Sequence, residues 1–207
     1  MSTPGYIASL KKSGTSTAFS DEPMSNTSGN IWEIDDINKE VFDRVVTPVF
    51  YDNAVPIIDT DIESVNYLYG HVTFTGVKVG PITVDGSYMP LADIAGAKEG
   101  TLNLTSSVHD VTDLSNEGYH NKITGMHDSS VSLSRWDDLS KDFSQVLNSR
   151  EPIVIEYKAD EILSFRGWYI LESSGKALNL TGVIEETLSF QLDGDDTEGK
   201  TFSSSDI

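Results

Sequence analysis

The residues Gly194-Asp195-Asp196-Thr197-Glu198-Gly199-Lys200-Thr201 match the phosphate-binding pattern G-x-x-x-x-G-K-[ST] letter for letter. That chemistry needs backbone amides at a helix N-terminus, yet only six residues follow Thr201 and they carry no helical pattern. Asp195, Asp196 and Glu198 would also present negative charge to a negative ligand. The segment reads as a flexible acidic tail. The four histidines, His71, His109, His120 and His127, show neither H-E-x-x-H nor H-x-H spacing. Three of them share the stretch 109–130 with Asp110, Asp113 and Asp128, which supplies metal donors without a ligand spacing, so they read as exposed loop histidines. There is no G-x-S-x-G elbow to activate a serine.

Adjacent carboxylates recur at Asp35-Asp36, Asp137-Asp138, Glu185-Glu186 and Asp195-Asp196. Neighbours on a strand point to opposite faces, so Glu185 and Glu186 cannot serve one acid/base site. Asp193-Gly-Asp-Asp lacks the spaced ligands and distal Glu of a calcium loop. Trp32, Trp136 and Trp168 have the chemistry of a sugar-stacking platform, but single tryptophans in or beside regular elements are expected in a core. No catalytic residue, cofactor or metal site is assigned on these grounds.

Composition narrows the classes further. The chain has 207 residues, and 14 Lys+Arg against 33 Asp+Glu leave 14 − 33 = −19 formal charges. Such an excess of acid disfavours gripping nucleic acid or anionic membranes, because phosphate binding draws on Lys and Arg. Residues 21–63 alone hold 11 acids and 2 bases. The absence of cysteine excludes disulfides, thiolate nucleophiles and Cys-ligated metals. There is no apolar run of signal-peptide or membrane-span length, which predicts a soluble protein made in a cytoplasm.

The elements that must position these residues are strands. Period-2 alternation places Leu68, Gly70, Val72 and Phe74 on one face, with Thr75-Gly76 expected to turn the chain into a strand over 77–84. The same alternation recurs at Leu102, Leu104, Ser106 and Val108, at Val131 and Leu133, at Ile153, Ile155 and Tyr157, and at Leu163, Phe165, Tyr169 and Leu171. It is clearest at Ile184, Leu188, Phe190 and Leu192. Half-polar strands of this kind predict antiparallel sheets. One helix is expected over about 137–148, from the stripe Leu139, Phe143, Val146 and Leu147, started by Asp137 or Asp138 and ended at Asn148. The predicted organisation is an extended N-terminal arm over 1–30, an antiparallel β-sandwich domain over 31–192 with one flanking helix and a long loop over about 109–130, and an acidic tail over 193–207.

The sequence also resembles the major tail tube protein of long-tailed bacteriophages. The resemblance runs from Gly14 through Thr17-Ala-Phe-Ser-Asp-Glu-Pro-Met24, Ile31-Trp-Glu-Ile34, Thr47-Pro-Val49 and Tyr67-Leu-Tyr-Gly-His-Val-Thr-Phe74. It continues at Val131-Ser-Leu-Ser-Arg-Trp136, Phe165-Arg-Gly-Trp-Tyr-Ile-Leu-Glu-Ser173 and Glu185-Glu-Thr-Leu-Ser-Phe-Gln-Leu-Asp-Gly194. Leu192 stands where such chains are expected to have a small residue, and the tail beyond Gly194 is more acidic than expected.

The resemblance implies a β-sandwich of the phage tail tube type: a structural virion protein, not an enzyme, with no cofactor. It implies stacked, usually hexameric rings in a virion tail, assembled in the bacterial host cytoplasm. Its partners would be other copies of itself, a tape-measure protein in the lumen, and tail terminator and distal tail proteins, with DNA as passing cargo and no membrane. On that reading the 109–130 loop, with Asp113, Tyr119, His120 and Met126, is a subunit-interface loop. The residues alone leave two other classes open. One is a carbohydrate-binding β-sandwich module using its aromatics. The other is an acidic glycosidase, which needs two carboxylates converging at about 5–9 Å.

Overall fold

A computed structural model describes residues 9–110, 122–136, 143–158, 164–178, 184–194 and 202–204. In chain order the strands are β1 (Ser9–Ser13), β2 (Thr17–Ser28), β3 (Ile31–Ile34), β4 (Val49–Asp52), β5 (Val55–Pro56), β6 (Ile62–Asn66), β7 (His71–Phe74), β8 (Ile82–Tyr88) and β9 (Leu91–Asp93). Then follow β10 (Ala97–Asp110), β11 (Lys122–Trp136), helix α1 (Ser144–Ser149), β12 (Ile153–Lys158), β13 (Ser164–Leu178), β14 (Ile184–Leu192) and β15 (Phe202–Ser204). The chain is mainly β, and every strand pairing with a described register is antiparallel, as the half-polar alternation predicts. It divides into two compact units, Met1–Ile94 with Glu151–Tyr169 and Asp193–Ile207, and Ala95–Arg150 with Ile170–Leu192. The 31–192 segment predicted as one domain is therefore shared between them.

The first unit is a sandwich. One sheet runs in the order β5-β4-β8-β2-β3-β7-β6, and the other joins the first part of β13 to β12, β1 and β9, with β15 on the far side of β13. Met24, Trp32, Ile34, Phe50, Val72, Phe74, Ile82 and Val84 are buried in one cluster. In a second cluster Val154 of β12 and Trp168 of β13 pack with Val41, Leu68 and Tyr69 from the connecting segments of the other sheet.

Within the arm expected over 1–30, the described residues from Ser9 onward form β1 and β2, each lying between two partners. Its polar composition hides this because most of β2 is solvent-facing and Met24 alone is buried. A bulge between Phe19 and Glu22, with Asp21 at φ 53° and its amide donating to Asp85 Oδ1 at 2.7 Å, further breaks the alternation. The expected turn at Thr75-Gly76 is corrected too. β7 pairs with β3 and β6, whereas β8 pairs with β2 and β4, so 75–81 is a connection between non-neighbouring strands and Val77 lies outside any strand.

The second unit is built on β10, β11, β14 and the later part of β13. The two ends of the predicted 109–130 loop are strand: β10 extends to Asp110, β11 begins at Lys122, and their register runs from Ala97↔Arg135 to Asp110↔Lys122, while 111–121 lie outside the described residues. Polar residues with no sustained apolar alternation read as a loop in sequence, yet strand pairing needs only backbone partners. The described helix overlaps the predicted one over 144–148. α1 has Phe143 at its N-cap and ends on left-handed Arg150 (φ 54°), not at Asn148; the expected caps Asp137 and Asp138, and Leu139, lie outside the described residues. Phe143 is buried edge-on against Phe190, with ring centroids 6.0 Å apart.

Candidate functional site

The first unit gathers charge where its two sheets meet. β12 and β13 place Glu156 directly opposite Arg166, each in phase with the buried Val154 and Trp168. The Arg166 guanidinium donates from Nε to Glu156 Oε2 (2.6 Å), and from Nη1 to Glu40 Oε2 (2.5 Å) and the Leu68 carbonyl (2.9 Å). Lys11 reaches the other Glu156 oxygen at 3.2 Å. The guanidinium lies 4.4 Å from the Tyr69 ring centroid, and the Tyr69 hydroxyl donates to the Ser164 carbonyl at 2.8 Å. Burial pushes the Tyr69 hydroxyl pKa up, which keeps it a donor. Burial also pushes the Glu156 carboxyl up, but the Arg166 guanidinium and the Lys11 ammonium outweigh it and hold Glu156 below the usual carboxylate range.

Gly70 makes room for this arrangement. It sits at φ +63°, and a Cβ there would lie 2.7 Å from Ile34 Cγ2 and 2.9 Å from the Glu40 carbonyl oxygen. A cavity of about 600 Å³ opens beside the cluster, walled in part by Ile37, Tyr88, Pro90 and Leu91, with Lys158 also on its lining. Glu40 and Glu156 converge on one guanidinium, but an ionised carboxylate locked to Arg166 is no proton donor at neutral pH. The arrangement can hold distant chain segments in register; it does not supply an acid/base pair.

The second unit repeats the device. Arg135 of β11 and Glu186 of β14 are register partners, 2.6 Å apart and both fully buried. Ser174 Oγ donates to the second Glu186 oxygen at 2.7 Å, and Arg135 lies 4.7 Å from the Phe143 ring centroid. Glu185 is paired instead with Lys98 at 2.8 Å. The two adjacent carboxylates thus take different partners, as period-2 alternation requires.

Comparison with known proteins gives fold likeness alone. No protein-family model and no curated protein matches the chain. Among solved structures, it is similar to a chain in the virion of a native gene transfer agent particle, with 19% identity, a TM-score of 0.45, and coverage of 51% of this chain and 85% of that one. It is also similar to a chain in the tail of an empty particle of the same kind, solved with C6 symmetry, with the same identity and TM-score and coverage of 51% and 84%.

Of the residues the sequence singled out, Asp113, Tyr119 and His120 lie outside the described residues. Met126 falls in β11, within the register irregularity opposite Ser106–Val108. Among the described residues no three His, Asp or Glu groups gather as a metal set, and His71 stands 3.6 Å from Glu33. Gly194 is described, 195–201 are not, and the chain beyond them forms strand β15 instead of the helix a phosphate loop would need. Trp32 and Trp168 are buried, but Trp136 departs from the core expectation: it is 42% exposed, with Lys98 3.9 Å from its ring centroid. No helix among the described residues is long and apolar enough to cross a membrane.

The residues that sequence reasoning missed are Glu40, Arg135, Glu156, Arg166 and Glu186. Arg135 and Glu186 carry a readable signal, because each is a charge standing in phase with an apolar alternation; Glu156 and Arg166 stand out of phase with the apolar residues read on their strands, and Glu40 lies outside any strand.

Proposed function

We propose that this chain is a structural virion protein, the subunit of a tail tube that polymerises as stacked, hexameric rings and conducts DNA into a host. One observation carries the reading. β10 is 14 residues long and ends the order of its sheet, so among the described residues one of its edges has no strand partner. Most of its described side chains between Thr101 and Ser106 are exposed, on both faces. A lone protein protects such an edge or keeps it short, because unpaired amides and carbonyls invite another strand. In a ring the neighbouring copy closes it.

The sequence resemblance to tail tube proteins supports the same reading. So does the character of the buried charges, which fix strand register and leave no proton-transfer pair. A strongly acidic bore would repel DNA phosphates and let the genome slide without sticking. A sugar-binding reading loses its platform, since Trp32 and Trp168 are buried. Negative-stain electron microscopy of the purified chain, concentrated in moderate salt, tests the proposal. Regular hollow rods are expected; dispersed globules at every concentration would refute it.

A further inference from the structure

The open strand β10 has two unlike faces. Its register with β11 is regular over 99–106, between irregularities at Ala97/Glu99 and Ser106/Val108. Within that run Gly100 stands opposite Leu133 and Leu102 opposite Val131, and those two partners stand opposite Leu188 and Phe190 of β14. All four partners are 1% exposed or less. Leu104 is the next residue on the same face, because side chains alternate along a strand, and its own partner Ser129 is buried as well. Leu104 itself is 53% exposed. A single exposed leucine carries no message by itself. This one is the outer end of an apolar face that is buried on β11 and β14, half-buried at Leu102, and uncovered where the strand partners stop.

The other face of the run is polar throughout. Thr101 lies in register with Ser132 and Ser189, Asn103 with Ser130 and Gln191, and Thr105 with Asp128, whose carbonyl accepts from the Thr105 hydroxyl at 3.4 Å. No lysine, proline or bulge interrupts 99–106, and its one charge, Glu99, alternates with Thr101 on this polar face. The devices by which a free edge turns other strands away are absent from it. An added antiparallel strand sets a residue directly opposite each residue of β10, on the same face and about 4.5–5.5 Å away between Cβ atoms. Whatever lands opposite Leu104 therefore lies on the apolar face. Shifting that strand by one residue would move its whole apolar set onto the hydroxyl face.

We infer that Leu104 is the apolar anchor of the contact between copies. The strand that a second copy lays along 99–106 is itself two-faced, apolar opposite Leu102 and Leu104 and polar opposite Thr101, Asn103 and Thr105, and this match fixes the register of the joint. The occupant is a second copy because Leu104 sits on the very edge that the tube reading joins to a neighbour, so one strand satisfies the unpaired backbone and covers the side chain together. The inference rests on that reading and adds to it the register and side-chain chemistry of the contact.

Two substitutions that add the same charge one residue apart separate this anchor from backbone pairing alone. Leu104→Asp and Asn103→Asp should both keep the parent's melting temperature, since both side chains are exposed. Leu104→Asp should raise the protein concentration needed for rods by about tenfold or more, as loss of a buried leucine contact does, whereas Asn103→Asp should raise it less than about threefold and Leu104→Ile hardly at all. The chain has no cysteine, so Leu104→Cys and Asn103→Cys each take a single polarity-sensitive dye, and labelled chains diluted into excess parent protein give a readout independent of the charged variants. Dye at position 104 should shift to the blue on assembly, and dye at position 103 much less. Rods in which the two aspartates cost the same, or in which the dye at 104 shifts no more than the dye at 103, overturn the anchor and leave the tube intact. A parent that forms no rods refutes the tube reading, and the anchor with it.

Discussion

Arg135 and Glu186 stand directly opposite each other on β11 and β14, with Nη2 2.6 Å from Oε2 and neither side chain reached by solvent. They occupy the same face as Val131 and Leu133 on one strand and Leu188 and Phe190 on the other, so the pair extends a mainly apolar core. Sliding β14 by one residue would set Arg135 against Thr187 in one direction, and in the other would offer it Glu185 only by turning Leu188 and Phe190 out of the core, so the pair and its apolar face together lock the register.

That role predicts a specific asymmetry. Arg135→Met or Glu186→Leu alone should destabilise the chain by about 3–5 kcal/mol, whereas the double variant should recover most of the loss, because a well-packed apolar pair removes the stranded charge. Urea unfolding of the four proteins measures it. Additive losses would contradict the lock.

Glu156 predicts an acid-sensitive contribution in the first unit. Its carboxyl is held below its ordinary value near 4.5, so the Arg166 pairing contributes fully above that pH and is lost as pH falls through the lower, folded value. Melting temperatures measured from pH 6 down to about pH 3 should fall more steeply for the parent than for Glu156→Gln. A parallel pair of curves would show that the pairing does not stabilise the fold.

Gly70 predicts a steric limit next to the same cluster. Gly70→Ala combines a strained left-handed backbone with contact on Ile34 and on the chain at Glu40. A loss of about 2–4 kcal/mol is expected in chemical denaturation, more than φ alone costs, since the backbone of Glu40 cannot yield like a flexible side chain. A loss no larger than that of an exposed Gly29→Ala, which is also at positive φ but meets nothing, would contradict the close approach.

Charge predicts how assembly responds to salt. Six copies carry 6 × −19 = −114 formal charges, and screening confines their repulsion to about 8 Å near physiological ionic strength. Rod yield measured by pelleting should rise from low to moderate salt and with millimolar magnesium. Yield that is flat or falling with salt would mean that acid–base contacts, not apolar and strand pairing, hold the copies together.

Much of the fold is legible in the residues because alternation and burial coincide, as in β14, where Leu188 and Phe190 are buried and Thr187 is exposed. The reading fails where another force overrides alternation. β2 is ordered by partners on both sides although it buries only Met24, so composition alone suggests an arm. β12 buries Val154, Ile155 and Glu156 in succession, leaving no polar face to read. The ends of β10 and β11 at 109–110 and 122–130 look like loop because no apolar alternation runs through them. The Arg135–Glu186 pair is legible in principle, since Glu186 sits in phase with Leu188 and Arg135 with Leu133. What no pattern in the sequence reveals is that Lys78 turns inward, because that follows from Asp61 and Phe74 being brought beside it by tertiary structure.

The central claim is that copies of this chain join along the open edge of β10, and amide hydrogen exchange in the monomer and in the assembled state tests it most directly. On assembly, the outward amides between Ala97 and Asp110 should gain protection of at least about a hundredfold, as fully hydrogen-bonded strand amides do. Exchange along β10 that is equally fast in rods and in monomers would contradict the account.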